Sequence, residues 1–141
     1  MTGPFLLDAS LTLSWCFKDE SIPYSRTVLA ALQTSTYAIV PALWPFEVGN
    51  ALAIAERRRR VTPEGIIHFL EQLRNLPIQI ERREPLWLLQ AILPLAREHQ
   101  LSGYDAACLE LAKRERMSLA TLDRDLMNAA RTVGVPILGA N

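Results

Sequence analysis

Pro4-Phe-Leu-Leu-Asp8 near one end of the chain and Met117-Ser-Leu-Ala-Thr-Leu-Asp123 near the other share a plan, a short, mostly apolar run with an aspartate close behind it. Such a run suits a buried strand, and the first is cut off by its own acid. Working outward, residues 37–40 and 77–80 read as further strands, the first closed by Pro41, and 135–138 as a short final one. Helices fill the intervals. One is expected over 9–18 with Leu11, Trp15 and Cys16 inward, and one over 24–32. A long one runs from Pro45, at its first position, to about Arg60, and another opens at Thr62-Pro-Glu64 and ends near Leu73. The stretch 85–100 is helical, with Pro94 marking a kink or a break. Ser102 caps a helix to about Arg116, and Asp123 begins a last one that Gly134 ends. Strands alternating with helices predict a single α/β domain over 1–141, a three-layer α/β/α sandwich around a central parallel sheet.

The 141 residues are enough for one domain with a real core, and half of them are hydrophobic. Fifteen Lys and Arg balance 15 Asp and Glu, so no global charge drives binding to nucleic acid. Two cysteines, Cys16 and Cys108, make no disulfide framework and suit core packing in a reduced, cytoplasmic setting. The first residues lack a basic segment before the apolar run, so no signal peptide is expected. The apolar stretch 86–96 is too short to span a membrane.

Four acids occupy equivalent places. Asp8 and Asp123 follow strands, while Glu47 and Asp105 lie in first turns of helices. In an open parallel sheet these places share one edge, where ligands bind. Each acid alone suits a helix N-terminus for structural reasons. Together they point further. Glu47 lies on a helical stripe with Asn50, Ala51 and Ile54, and Asp105 on one with Cys108, Leu109 and Ala112. Those stripes read as inward-facing, and no Lys or His stands beside the acids. Clustered, partly buried carboxylates need a counter-charge, and a hard divalent cation, Mg²⁺ or Mn²⁺, supplies it.

The segments Phe5-Leu-Leu-Asp-Ala-Ser10, Val40-Pro-Ala-Leu-Trp-Pro-Phe-Glu-Val-Gly-Asn-Ala-Leu52, Leu101-Ser-Gly-Tyr-Asp-Ala-Ala-Cys-Leu-Glu-Leu111 and Leu119-Ala-Thr-Leu-Asp-Arg-Asp-Leu126 resemble, in order and separation, the signature segments of VapC-type PIN-domain ribonucleases. The resemblance covers nearly the whole chain. It implies a PIN-like fold and a Mg²⁺-dependent endoribonuclease that inhibits translation as the toxin of a toxin–antitoxin pair. It implies catalytic acids at Asp8, Glu47, Asp105 and Asp123, with metal on Asp8, Asp105 and Asp123, and Glu47 either a ligand or the orienter of a water. Asp125 matches a further acid that binds a second metal or only a water. Ser10 and Thr121 match hydroxyls that orient the acids, and Asn50 a polar lining residue. Leu122 departs from the pattern, standing where a polar residue often precedes the aspartate. A VapB-like antitoxin lying across the acidic groove, a homodimer and an RNA substrate are implied as partners.

RNA phosphate contacts are expected from Arg124, next to the acids, and from Arg57 and Arg58 in the run Arg57-Arg58-Arg59-Arg60, which equally suits a solvated helix end. His68 and His99 lie far from the acidic motifs, so catalysis should need no histidine. Trp15, Trp44 and Trp87 are expected in a core or an interface. The competing readings are a DNA nuclease or phosphatase using the same carboxylates, and a non-catalytic PIN-like binding module that holds no metal.

Overall fold

A computed structural model describes residues 3–139. Its centre is β1 (Phe5–Leu7), whose three side chains are fully buried. β2 (Ala38–Pro41) lies on one side of it, with β3 (Ile78–Glu81) beyond, and β4 (Ser118–Ala120) on the other. All pairings are parallel. The pleat divides the core. Phe5 and Leu7 join Ala38, Val40 and Ala120 on one face, while Leu6 joins Leu119 on the opposite face.

On the first face lie α1 (Ala9–Ser14), α2 (Pro23–Thr34), α3 (Trp44–Arg57) and α4 (Pro63–Arg74), which supply Leu11, Val28, Leu32, Trp44, Val48, Leu52 and Phe69. On the second lie α5 (Pro85–His99), α6 (Gly103–Glu115) and α7 (Arg124–Thr132), which supply Ile92, Leu109, Leu111, Leu126 and Ala130. The result is a three-layer α/β/α sandwich.

The strand order β3-β2-β1-β4 locates the functional edge. From β1 the chain moves through β2 to β3 over one face, then returns over the other to β4, on the far side of β1. The connections after β1 and β4 therefore diverge, leaving a crevice beyond the carboxyl ends of these two strands. The register pairs Leu7 with Ala120, so Asp8 emerges beside Thr121, and the Asp8 N–H donates to the Ala120 carbonyl at 3.0 Å.

Several elements differ from the sequence expectation for local reasons. The first helix stops at Ser14, not 18. The chain then turns so that the Trp15 indole donates to the Ser25 carbonyl at 2.8 Å, and a 3₁₀ turn follows at Lys18–Glu20. Trp15 and Cys16 are only partly buried as a result. Arg60 holds that turn, pairing with Asp19 and Glu20 and lying 4.4 Å over the Phe17 ring. β2 begins one residue later than expected and ends on Pro41 rather than before it. α3 starts at Trp44, placing Pro45 second. The expected final strand reduces to one bridge, Leu119 to Ile137, because Pro136 has a carbonyl for Leu119 but no N–H to give. No helix among the described residues is long and apolar enough to cross a membrane.

Pro94 does not break α5, which runs through it. Proline removes the hydrogen bond to the carbonyl four residues earlier, and Gln90 is exposed, so water can satisfy that group. Pro94→Ala should restore the bond on a solvent-facing turn and stabilise the protein by roughly 1–3 kcal/mol. A rise in the urea midpoint at unchanged slope checks this.

Candidate metal centre at the carboxyl edge of the sheet

Asp8 is the fixed point of the site. Its side chain sits directly after the central strand and is 2% exposed. Oδ2 accepts from Ser10 Oγ at 2.6 Å and from Thr121 Oγ1 at 2.7 Å. Backbone groups aim both hydroxyls. The Leu122 N–H donates to Ser10 Oγ and the Asp123 N–H to Thr121 Oγ1, each at 3.0 Å, so each hydroxyl's own proton is free for the carboxylate. Oδ1 meets a weaker donor, the buried Cys108 thiol, with sulfur 3.7 Å away. One oxygen of Asp8 is thus saturated, and the other is left for a stronger partner.

Glu47 and Asp105 come to this point from opposite layers. The Trp44 indole donates to Thr12 Oγ1 at 3.3 Å, and Thr12 donates to the Asp8 carbonyl at 3.1 Å, which ties the start of α3 to α1. Ser102 caps α6 by accepting from the Asp105 N–H at 3.1 Å. One carboxylate oxygen each from Asp8, Glu47 and Asp105 then lie within 4.8 Å of one another. Burial, and then the charges of Asp8, Asp105 and Asp123, push Glu47 up to about 7. Burial, and then Asp8 and Asp123, push Asp105 to about 7 against the opposing bond at Ser102, with Asp125 a smaller contributor in the same upward direction. No Lys, Arg or His forms an ion pair with these three acids among the described residues. Three hard oxygen donors, partly dehydrated and without a counter-charge, fit a divalent cation such as Mg²⁺ or Mn²⁺.

The other expected residues fall into two groups. Asp123 is close enough for its charge to act on Glu47 and Asp105, but it lies outside the group of three. Its Oδ1 caps α7, accepting from the N–H groups of Asp125 and Leu126 at 2.9 and 3.1 Å. Asp125 is exposed in the first turn of α7. Asn50 is exposed and makes no side-chain bond to the acids among the described residues, so the inward stripe expected for Glu47 is corrected. α3 buries Trp44, Val48, Leu52 and Ala55, and Glu47 stands at the margin of that stripe. Arg124 is exposed beside Asp123. Arg57 and Arg58 lie at the far end of α3, about 15 Å along the axis from Glu47. Cys108 was expected only to pack in the core. Its spacing of three from Asp105 was visible, but not its approach to Asp8.

No family model matches the chain, and no curated protein matches it. Among solved structures, the fold is similar to the crystal structure of PAE2754 from Pyrobaculum aerophilum, with TM-score 0.67 and 23% identity, covering 100% of this chain and 91% of that one. At this identity the likeness shows the fold, and the chemistry rests on the residues above.

The raised acids link the site to stability. Folded Glu47 and Asp105 hold protons more tightly than they do in the unfolded chain, so stability should fall as pH rises from about 4 through about 7. Without metal the Tm should therefore be lower at pH 8 than at pH 5.5, and Mn²⁺ should raise it more at pH 8. Calorimetric titration with Mn²⁺ near pH 6 should show proton release, read as a heat that changes with the buffer. Thr121→Val removes one donor from buried Asp8 and should cost about 1–3 kcal/mol and weaken Mn²⁺ binding, which the same titration measures.

Proposed function

We propose that this chain is a metal-dependent endoribonuclease of the PIN-domain type, acting as the VapC-like toxin of a toxin–antitoxin pair. The observation that carries the reading is the convergence of Asp8, Glu47 and Asp105, drawn from three of the four segments that resemble the family, with the fourth contributing the charge of Asp123 and the hydroxyl of Thr121. A bound Mg²⁺ or Mn²⁺ would lower the pKa of a water and offset the charge that develops on the phosphate. Asp8, Glu47 and Asp105 would hold it, with the charge of Asp123 close by. The hydroxyls of Ser10 and Thr121 keep Asp8 from turning away from it.

Unpaired RNA suits the surroundings. Phe46 and Tyr104 directly precede Glu47 and Asp105, and they are 71% and 44% exposed, unusual for aromatics with no core to fill. Exposed rings one residue from two of the acids offer stacking faces for unpaired bases. Arg124 is the nearest cation in sequence for a backbone phosphate. The apolar surface of α5, with Leu86, Trp87, Leu89 and Leu93 all more than 40% exposed, supports a role for a protein partner, an antitoxin or a second copy.

Asp8→Asn and Asp105→Asn should leave a folded protein, by circular dichroism, whose RNA cleavage falls at least about a hundredfold. Assays on RNA, duplex DNA and a phosphomonoester, each with Mg²⁺ and with EDTA, separate this reading from a DNA nuclease or a phosphatase. Absence of Mn²⁺ binding would instead favour a non-catalytic module. Wild-type-like cleavage by either variant would overturn the assignment.

A further inference from the structure

An open cleft of about 370 Å³ is lined by Thr121 and Leu122, the two residues that lead from β4 to Asp123. This is within the range of small-ligand sites, ~300–1,000 Å³. Its walls include Ile22, Tyr24, Leu122 and Met127, with Thr121 on the side of the acids and Arg131 among the lining residues. The cleft and the metal centre are built on the same residues. Thr121 lines the cleft while its hydroxyl donates to Asp8, and Leu122 lines it while its N–H aims Ser10.

The lining has a definite chemistry. It is mainly apolar, with one aromatic ring, one thioether and one guanidinium. Arg131 is exposed in the last turn of α7 and forms no ion pair among the described residues. The Tyr24 hydroxyl is buried without a hydrogen-bond partner among the described residues. Leu122 is the position at which this chain departs from the polar residue of the motif it resembles, and here its side chain forms a wall. Apolar and aromatic faces with a neighbouring cation are how proteins hold unpaired bases, the ring system packing on the wall and the phosphate meeting the charge.

We propose that this cleft seats one nucleobase of the RNA next to the phosphate at the acidic centre, and so sets which base flanks the cut. The inference rests on the ribonuclease reading above and adds to it a specificity site made of Leu122, Met127, Tyr24 and Arg131.

The test uses the full chain with Mn²⁺ and two substrates, a short single-stranded oligoribonucleotide and bis(p-nitrophenyl) phosphate, which has no base. Met127→Ala and Arg131→Ala should each raise KM for the oligoribonucleotide about tenfold with kcat nearly unchanged. Hydrolysis of bis(p-nitrophenyl) phosphate should stay at the wild-type level, and sequencing of the cut ends should show a weaker base preference beside the cut. Equal losses on both substrates would mean that the residues only support the fold or the acids, and would overturn the proposal. Unchanged KM and unchanged cut sites would also overturn it, as would loss of a protein partner with RNA cleavage intact. A wild-type protein that hydrolyses bis(p-nitrophenyl) phosphate but not RNA would sink the ribonuclease reading itself, a result distinct from failure of the cleft alone.

Discussion

A carboxylate almost wholly removed from water, Asp8, holds this site together, and among the described residues no cationic side chain pairs with it. Its position follows from β1 being the central, fully buried strand, since a residue just past such a strand has nowhere else to go. Two hydroxyls satisfy one of its oxygens, and a thiol is a poor match for the other. Two further carboxylates then approach it, each resisting ionisation near neutrality. Like charges at this spacing oppose folding unless a proton or a metal ion lies among them. The protein keeps an arrangement that costs stability, which packing alone does not call for.

The scaffold distributes the burden between its two helical layers. α1 and α3, on one face, are locked together through Thr12 and Trp44, which sets the approach of Glu47. α6, on the other face, is started by Ser102 and brings Asp105 and Cys108 in on successive turns. The switch in strand order lets elements from both layers reach one crevice. Hydrogen bonds from the loop after β4 complete it from the side. Away from the acids, Arg114 bonds the largely buried Glu110 and reaches Glu81 at the end of β3, with Trp87 5.2 Å from its guanidinium, so α5, α6 and the edge of the sheet are braced together.

Much of this architecture was legible from local patterns. Apolar runs ending in an acid, prolines at helix starts and Ser102 three residues before Asp105 each carry their meaning within a few positions, and they place Asp8 and Asp105 correctly on the sheet edge. What was not legible depends on rotation and tertiary approach. With about 100° between successive helical residues, the stripe through Val48 and Leu52 leaves Glu47 at its margin and turns Asn50 outward, which the spacing of Glu47, Asn50 and Ile54 did not reveal. Asp123 was expected among the ligands as an equal. The demands of the α7 N-terminus occupy one of its oxygens and set it apart from the group of three. The Cys108 contact exists only because α6 crosses the sheet at that height. The ring of Phe46, exposed one residue before Glu47, breaks the usual rule for aromatic residues and carries no local signal of its own.

The bond from Thr121 to Asp8 joins residues 113 positions apart, and the neighbouring contact from Cys108 spans 100. β1 is made well before β4, so Asp8 waits through the synthesis of every element between them for Cys108 and Thr121. Closing so long a loop is slow compared with forming helices. A ribosome that stalls before β4 releases a fragment with Asp8, Glu47 and Asp105 present but no Thr121 to hold the first of them. Chain order thus ties the completed carboxylate cluster to the arrival of β4.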